Sequence, residues 1–447
     1  MSKIKITMLL LGGLLLNNTN LHAVEANGLD SVASTTKKEN IQDDNGQSAS
    51  EADGPVTKGD INGIHSDEAQ FRDQLSRTLE KNVAATTRSL KIGGTFTNRY
   101  SYTPYTNQPP VIDGFVFNAA SLTLKGNLQR DYEEGKNLDY AVSFQAASTA
   151  YNLQPTDVYI QYSIFQTLDI EKPLLYLQFG QQKKPFGLEP TTTDEKQPTI
   201  NGATFAGAKG LNLSQRDIGL QLHGDLLVNV DLAYNYRNPL IEYSLAVYNG
   251  SGPNATDTNQ SKDVVGRLVL NAPADFYSPY RGLSLGTSFY KGKQDISLLT
   301  LKDLGAKDRY GIDLAYVSAP IGFSAEYAAG RDEYYAGKTL ANPLKTRRDS
   351  QGYTLTLFYE FGEQFQKNYR NQARRDDWWP QTLEPFIRFD YWDPDKAVGN
   401  NETTIITYGL NYFFAETTKL QLNYAVRNEK ATGLKQNDLT LQFQYGF

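Results

Sequence analysis

The sequence predicts an all-β fold: a transmembrane antiparallel β-barrel of about sixteen strands, behind a disordered or short helical N-terminal extension. Three observations predict it. From Arg88 to Phe447, stretch after stretch alternates apolar and polar residues, the period of a strand whose two faces meet different surroundings. The chain carries 29 Tyr and 21 Phe at a mean hydropathy of -0.51, a combination that suits a wall apolar and aromatic outside and polar within. A short apolar run at the start resembles an export signal.

That leader opens on Lys3 and Lys5 and continues as the apolar run Ile6 to Leu16. The run is too short for a spanning helix, which needs about 20 residues. It closes on Leu21-His22-Ala23, so residues 1–23 read as a signal peptide cleaved after Ala23. No cysteine is present, which excludes a lipidated cysteine, disulfides and thiolate metal sites. Of three His, only His65 and His223 follow the leader, so neither a metal centre nor a cofactor is expected. A net charge of -6 gives no reason to expect nucleic acid as a partner.

Residues 24–64 are polar and acidic and cannot bury a core, so they read as disordered. Over 65–87, Phe71, Leu75, Leu79 and Val83 recur at helical spacing. The segment reads as a surface helix or as a short coiled coil on the periplasmic side. The barrel then occupies 88–447. Its last segment shows the pattern cleanly: Leu439, Leu441, Phe443, Tyr445 and Phe447 share one face, and Thr440, Gln442, Gln444 and Gly446 the other.

Sixteen strands are predicted: 88–100, 115–128, 138–147, 156–164, 174–182, 216–226, 240–249, 263–271, 281–291, 308–317, 321–330, 351–361, 383–392, 403–413, 418–427 and 437–447. Their lengths suit tilted crossings of a bilayer. The stretch Gly224 to Asn238 either extends the sixth and seventh strands or holds an extra hairpin. An even count puts both ends in the periplasm. Connections such as Ala319-Pro320 and Ala415-Glu416 then become short inner turns. Stretches 183–215, 250–262, 292–307 and 331–350 become long outer loops. The inner connection 362–382 is long and charged and has no clear role.

A sandwich would need linkers to divide so many strands, and none is seen after Arg88. In lipid, a closed barrel pairs every backbone group without an edge. Aromatics near predicted strand ends read as interface anchors: Tyr100, Tyr102, Tyr248, Tyr290, Tyr316, Tyr327, Tyr359, Tyr391, Trp392 and Tyr412.

Several motifs occur in order. Phe179-Gly180-Gln181-Gln182-Lys183-Lys184-Pro185-Phe186-Gly187-Leu188-Glu189 lies where the fifth strand meets the third outer loop. Arg216-Asp217-Ile218-Gly219, Tyr248-Asn249-Gly250, Leu122-Thr123-Leu124-Lys125-Gly126 and Asp157-Val158-Tyr159-Ile160 mark four other strands. The set resembles the phosphate-selective porin O and P family, and the terminal Phe447 resembles the assembly signal of outer-membrane proteins. The resemblance implies a homotrimeric outer-membrane porin, in contact with lipid and lipopolysaccharide, passing small anions such as phosphate. It also implies a pore narrowed by the inward-folded third outer loop, here about 189–215. A dense lysine cluster would be expected in an anion-selective member. The loop's only cations are Lys196 and Lys209, which puts strict phosphate selectivity in doubt.

With apolar residues facing lipid, Lys91, Arg99, Lys125, Arg267, Arg309, Arg388 and Arg427 point inward. So do Asp139, Asp157, Asp217, Glu242, Asp313, Glu326, Glu360, Glu384 and Asp390, a mixed set that fixes no sign of selectivity. Lys183, Lys184, Lys196, Lys209 and Arg216 flank the expected constriction and are the candidate pore residues. The barrel holds one His, so an enzyme is not expected. Three readings stay open: an anion-preferring porin, a porin for other small polar solutes such as organic acids, and a non-conducting surface protein.

Overall fold

A computed structural model of the chain describes residues 89–447, except 130–136, 148–151, 166–172, 195, 232–235, 258, 299, 318–319, 337–343, 363–381 and 416. The predicted leader, polar segment and helix all lie outside the described residues, as does most of the connection 362–382.

Sixteen strands make up the wall. They are β1 (Lys91–Thr106), β2 (Asp113–Gln129), β3 (Leu138–Ala147), β4 (Leu153–Phe165), β5 (Leu175–Lys183), β6 (Arg216–Asp231), β7 (Tyr236–Tyr248) and β8 (Asp263–Asn271). They continue as β9 (Leu283–Leu298), β10 (Leu301–Val317), β11 (Ile321–Tyr335), β12 (Lys345–Tyr359), β13 (Thr382–Asp393), β14 (Thr403–Ala415), β15 (Thr418–Glu429) and β16 (Leu434–Gly446). Beyond Glu360, a two-residue piece, Phe361–Gly362, prolongs β12 along β13. Each strand pairs antiparallel with the next, from β1–β2 to β15–β16. β16 pairs back onto β1 and closes the wall. Two reciprocal 3.1 Å bonds between Gly94 and Phe447 complete the seam. The Phe447 ring lies where a side chain on Gly94 would have to go.

The wall is inside out relative to a water-soluble core. Leu220, Leu245, Ile312, Leu355, Ile387, Leu422 and Leu441 are exposed, while their polar neighbours Gln221, Asp313, Thr354, Thr356, Arg388, Gln421 and Gln442 are buried. Each large apolar side chain left in water forgoes roughly 1.5–3 kcal/mol of burial. A continuous belt of them fits an apolar solvent, with the polar phase lining the lumen.

All sixteen predicted strands are found, but their ends differ. The predicted outer loop 292–307 is instead mostly strand, because β9 runs to Leu298 and β10 starts at Leu301. The predicted loop 331–350 likewise shrinks, because β11 runs to Tyr335 and β12 starts at Lys345. Both hairpins climb well past the apolar belt. Around 224–238 the sixth and seventh strands are extended, to Asp231 and from Tyr236. Three predicted interface aromatics are corrected. Tyr248, Tyr290 and Trp392 are buried on the lumen phase. The Tyr248 hydroxyl donates to Gln221 Oε1 at 3.0 Å and the Tyr290 hydroxyl to Asp263. Tyr100 against Phe115 and Tyr353 stacked on Tyr391 do form ring pairs between neighbouring strands.

Candidate functional site

The connection from β5 to β6, Lys184 to Gln215, does not stand clear of the barrel. Phe186, Phe205, Leu211 and Leu213 are almost wholly buried and cluster with Trp392, Tyr248 and Tyr290 of the wall. Glycines on the lumen phase make room. Phe205 lies against Gly352 of β12, Leu211 against Gly330 of β11 and Phe186 against Gly311 of β10. A Cβ at Gly352 would come within 3.0 Å of the Phe205 ring. Gly187 turns the chain with φ 69°, a conformation L-residues rarely adopt.

Polar bonds pin the loop along its length. The Gly187 N–H donates to Ser288 Oγ at 3.0 Å and the Glu189 N–H to Glu326 Oε2 at 2.6 Å. Arg388 Nη2 donates to Glu189 Oε1 at 2.9 Å, Nη1 to Thr199 Oγ1 at 2.7 Å, and Nε to Asp390 Oδ2 at 3.0 Å. The Pro198 carbonyl accepts from Asn411 Nδ2 at 2.9 Å and Gln421 Nε2 at 3.1 Å. Lys419 Nζ donates to the Gln197 carbonyl at 2.8 Å. The loop is thereby fastened to lumen-phase residues of β9, β11, β13, β14 and β15.

The five constriction candidates have different settings. Lys183 Nζ donates to the Thr192 carbonyl at 3.2 Å, within the loop's own framework. Lys184 is 4% exposed; its Nζ donates to the Asn212 carbonyl at 3.2 Å and lies 5.8 Å from the Tyr290 ring centre. Burial, with Lys307 nearby, pushes this ammonium down to about 8. Lys196 and Lys209 are exposed on the loop. Arg216 grips Asp157 with two 2.8 Å bonds, so its charge is already matched.

The wall cations divide the same way. Arg267 is paired with Asp313 at 2.6 Å, Arg309 with Asp332 at 2.7 Å, Arg388 with Glu189 and Asp390, and Arg427 with Glu429 at 2.9 Å. Lys91 is exposed at the start of β1. Arg99 on β1 and Lys125 on β2 form no ion pair among the described residues, and the Arg99 Nε has no hydrogen-bond partner. Both share the lumen phase with Thr97, Ser121 and Thr123. They lie on wall to which none of the loop bonds above runs.

Sequence reasoning missed the apolar fastenings Phe186, Phe205, Leu211 and Leu213. Their spacing is irregular, so no period announces them. The available signal was large apolar side chains in a connection destined for water, opposite glycines on the lumen phase of later strands.

A model of the family described as phosphate-selective porin O and P matches residues 90–447. No curated protein sequence matches the chain. Among solved structures, the anion-selective porin from Comamonas acidovorans is similar at TM-score 0.52 and 11% identity, covering 81% of this chain and 100% of its own. Salmonella typhi OmpF, solved with daunomycin, gives 0.52 and 12%, covering 80% of this chain and 98% of its own. The trimer form of Vibrio cholerae OmpT gives 0.52 and 10%, covering 81% and 100%. At these identities the likeness is one of fold.

Proposed function

Because the chain belongs to the phosphate-selective porin O and P family, an outer-membrane channel family, we propose that it is a water-filled pore of modest anion preference for small polar solutes. The observation that carries this reading is the distribution of unmatched charge. Arg216, Arg267, Arg309, Arg388 and Arg427 are each matched by a carboxylate. Arg99, Lys125, Lys196 and Lys209 form no ion pair among the described residues. In a narrow low-dielectric passage, a few unmatched cations set the sign of the field. Against these stand the carboxylates Asp194 and Glu242, unmatched among the described residues, with Asp217, Glu326 and Glu384 unmatched but buried, so any cationic excess is small. That supports selection by charge rather than a dedicated phosphate site, and solutes such as organic acids fit it as well as phosphate. The homotrimer is part of the proposal, supported by the likeness to a barrel described in a trimer form.

The experiment is the reversal potential of the reconstituted protein in a potassium chloride gradient, with and without phosphate. The reading expects an anion-side potential and little block of chloride current by phosphate. Strong phosphate block would favour a phosphate-selective pore, and a cation-side potential would overturn the reading.

A further inference from the structure

With one histidine in the barrel and no cysteine, the sequence predicts no metal centre. The fold nevertheless gathers His223, Asp225 and Glu242, with one ligand atom from each within 4.8 Å of the other two. Strand geometry does this. Residues 223 and 225 are two apart on β6 and share a face, and pairing sets Glu242 opposite Asp225 and Ser244 opposite His223. That face is the lumen's, because Gln221 and Asp225 on it are buried while Leu220 and Leu245 on the other phase are exposed. His223 pairs with Tyr176, the second residue of β5, which puts the group toward the periplasmic end.

Each of the three already has one donor atom held from outside the group. Ser244 Oγ lies 2.8 Å from His223 Nδ1, Arg237 Nη1 lies 2.6 Å from Asp225 Oδ2, and Asn271 Nδ2 donates to Glu242 Oε1 at 2.7 Å. Tyr176 stacks on the imidazole at 4.8 Å and fixes its plane. Metal ligands are oriented in this way, with the second imidazole nitrogen and second carboxylate oxygen bonded outward. His223 Nε2 and Asp225 Oδ1 lie 2.9 Å apart in the space between.

We propose that His223, Asp225 and Glu242 bind a divalent transition-metal cation of the zinc class at the periplasmic end of the lumen. One imidazole nitrogen and two carboxylate oxygens suit zinc, cobalt or nickel better than magnesium or calcium, which favour all-oxygen shells. Binding replaces the His223–Asp225 hydrogen bond. The imidazole proton then resides on Nδ1, donated to Ser244 Oγ, and Nε2 presents its lone pair to the metal. The two carboxylates beside Arg237 leave a net negative pocket for the cation.

The test is equilibrium dialysis of zinc chloride against the tag-free full-length protein in detergent near neutral pH. One zinc ion per chain is expected, unaffected by excess magnesium. His223→Gln and Glu242→Gln should each weaken it by about tenfold or more. Absence of saturable binding, or wild-type binding by both variants, overturns the proposal. Cobalt chloride added to the wild-type protein gives a readout that needs no variant. A visible d–d absorption band saturating at one equivalent and abolished by zinc supports the site, and its absence overturns it.

Discussion

Arg388 of β13 and Glu189 of the third outer loop meet at 2.9 Å although 199 residues separate them. The guanidinium is fully enclosed, shared among Glu189, Asp390 and Thr199. Through this bond the loop's seat depends on a strand formed much later in the chain. Removing one partner of a buried pair costs about 3–5 kcal/mol, because the remaining charge is left uncompensated. Arg388→Ala should therefore free the loop while leaving the strand ladders intact. Trypsin should then cut at Lys196 or Lys209 in the variant and spare the wild type. Equal resistance of the two would show that this bond does not hold the loop.

The apolar side of the seat gives a separate expectation. A Cβ at Gly352 would collide with Phe205. Gly352→Val should displace the ring and raise single-channel conductance, with an unchanged circular-dichroism spectrum. Overpacking of this kind typically costs about 1–3 kcal/mol. Conductance equal to wild type would mean that Phe205 does not shape the passage.

Lys184 predicts a pH dependence. Its folded-state value near 8 lies below the ordinary lysine value, which is about 10.4. Between these two values the unfolded segment holds the proton more tightly than the folded one. Loop stability should therefore rise with pH across that window, by up to about 3 kcal/mol. Below pH 8 the buried charge costs its full amount. Protection of the loop from protease should increase from pH 8 to 10, and Lys184→Met should remove the increase. A flat profile in the wild type would contradict the burial of this ammonium.

Selectivity should follow unmatched charge. The double variant Arg99→Ala, Lys125→Ala should move the reversal potential toward cations. Arg216→Ala together with Asp157→Ala should move it little, because a matched pair is lost. The opposite ranking, measured in the same salt gradient, would put the selective element at the β5–β6 junction.

Much of the barrel was legible because lipid imposes a period. Leu439 to Phe447 alternate in the sequence, and the strand Leu434–Gly446 contains nearly all of that run. Where strands leave the lipid, the signal ends although the ladder continues. Lys293, Gln294 and Asp295 sit within β9, yet hydropathy alone reads them as loop. Backbone pairing there needs no apolar face. The motif around Lys183 and Arg216 marked the β5–β6 connection as the candidate constriction, but not the state of its charges. Whether Arg216 is free or gripped by Asp157 depends on a partner 59 residues away. The group of His223, Asp225 and Glu242 was likewise invisible, because only strand register brings residues of β6 and β7 face to face.

The central claim, a conducting barrel narrowed by a loop fastened across its lumen, is tested most directly by shortening that loop. Residues 192–211 would be replaced by a short glycine-serine link and single-channel conductance compared with wild type in the same bilayer. The account predicts that both conduct and that the shortened form conducts severalfold more. A silent wild type, or equal conductance in the two, would contradict it.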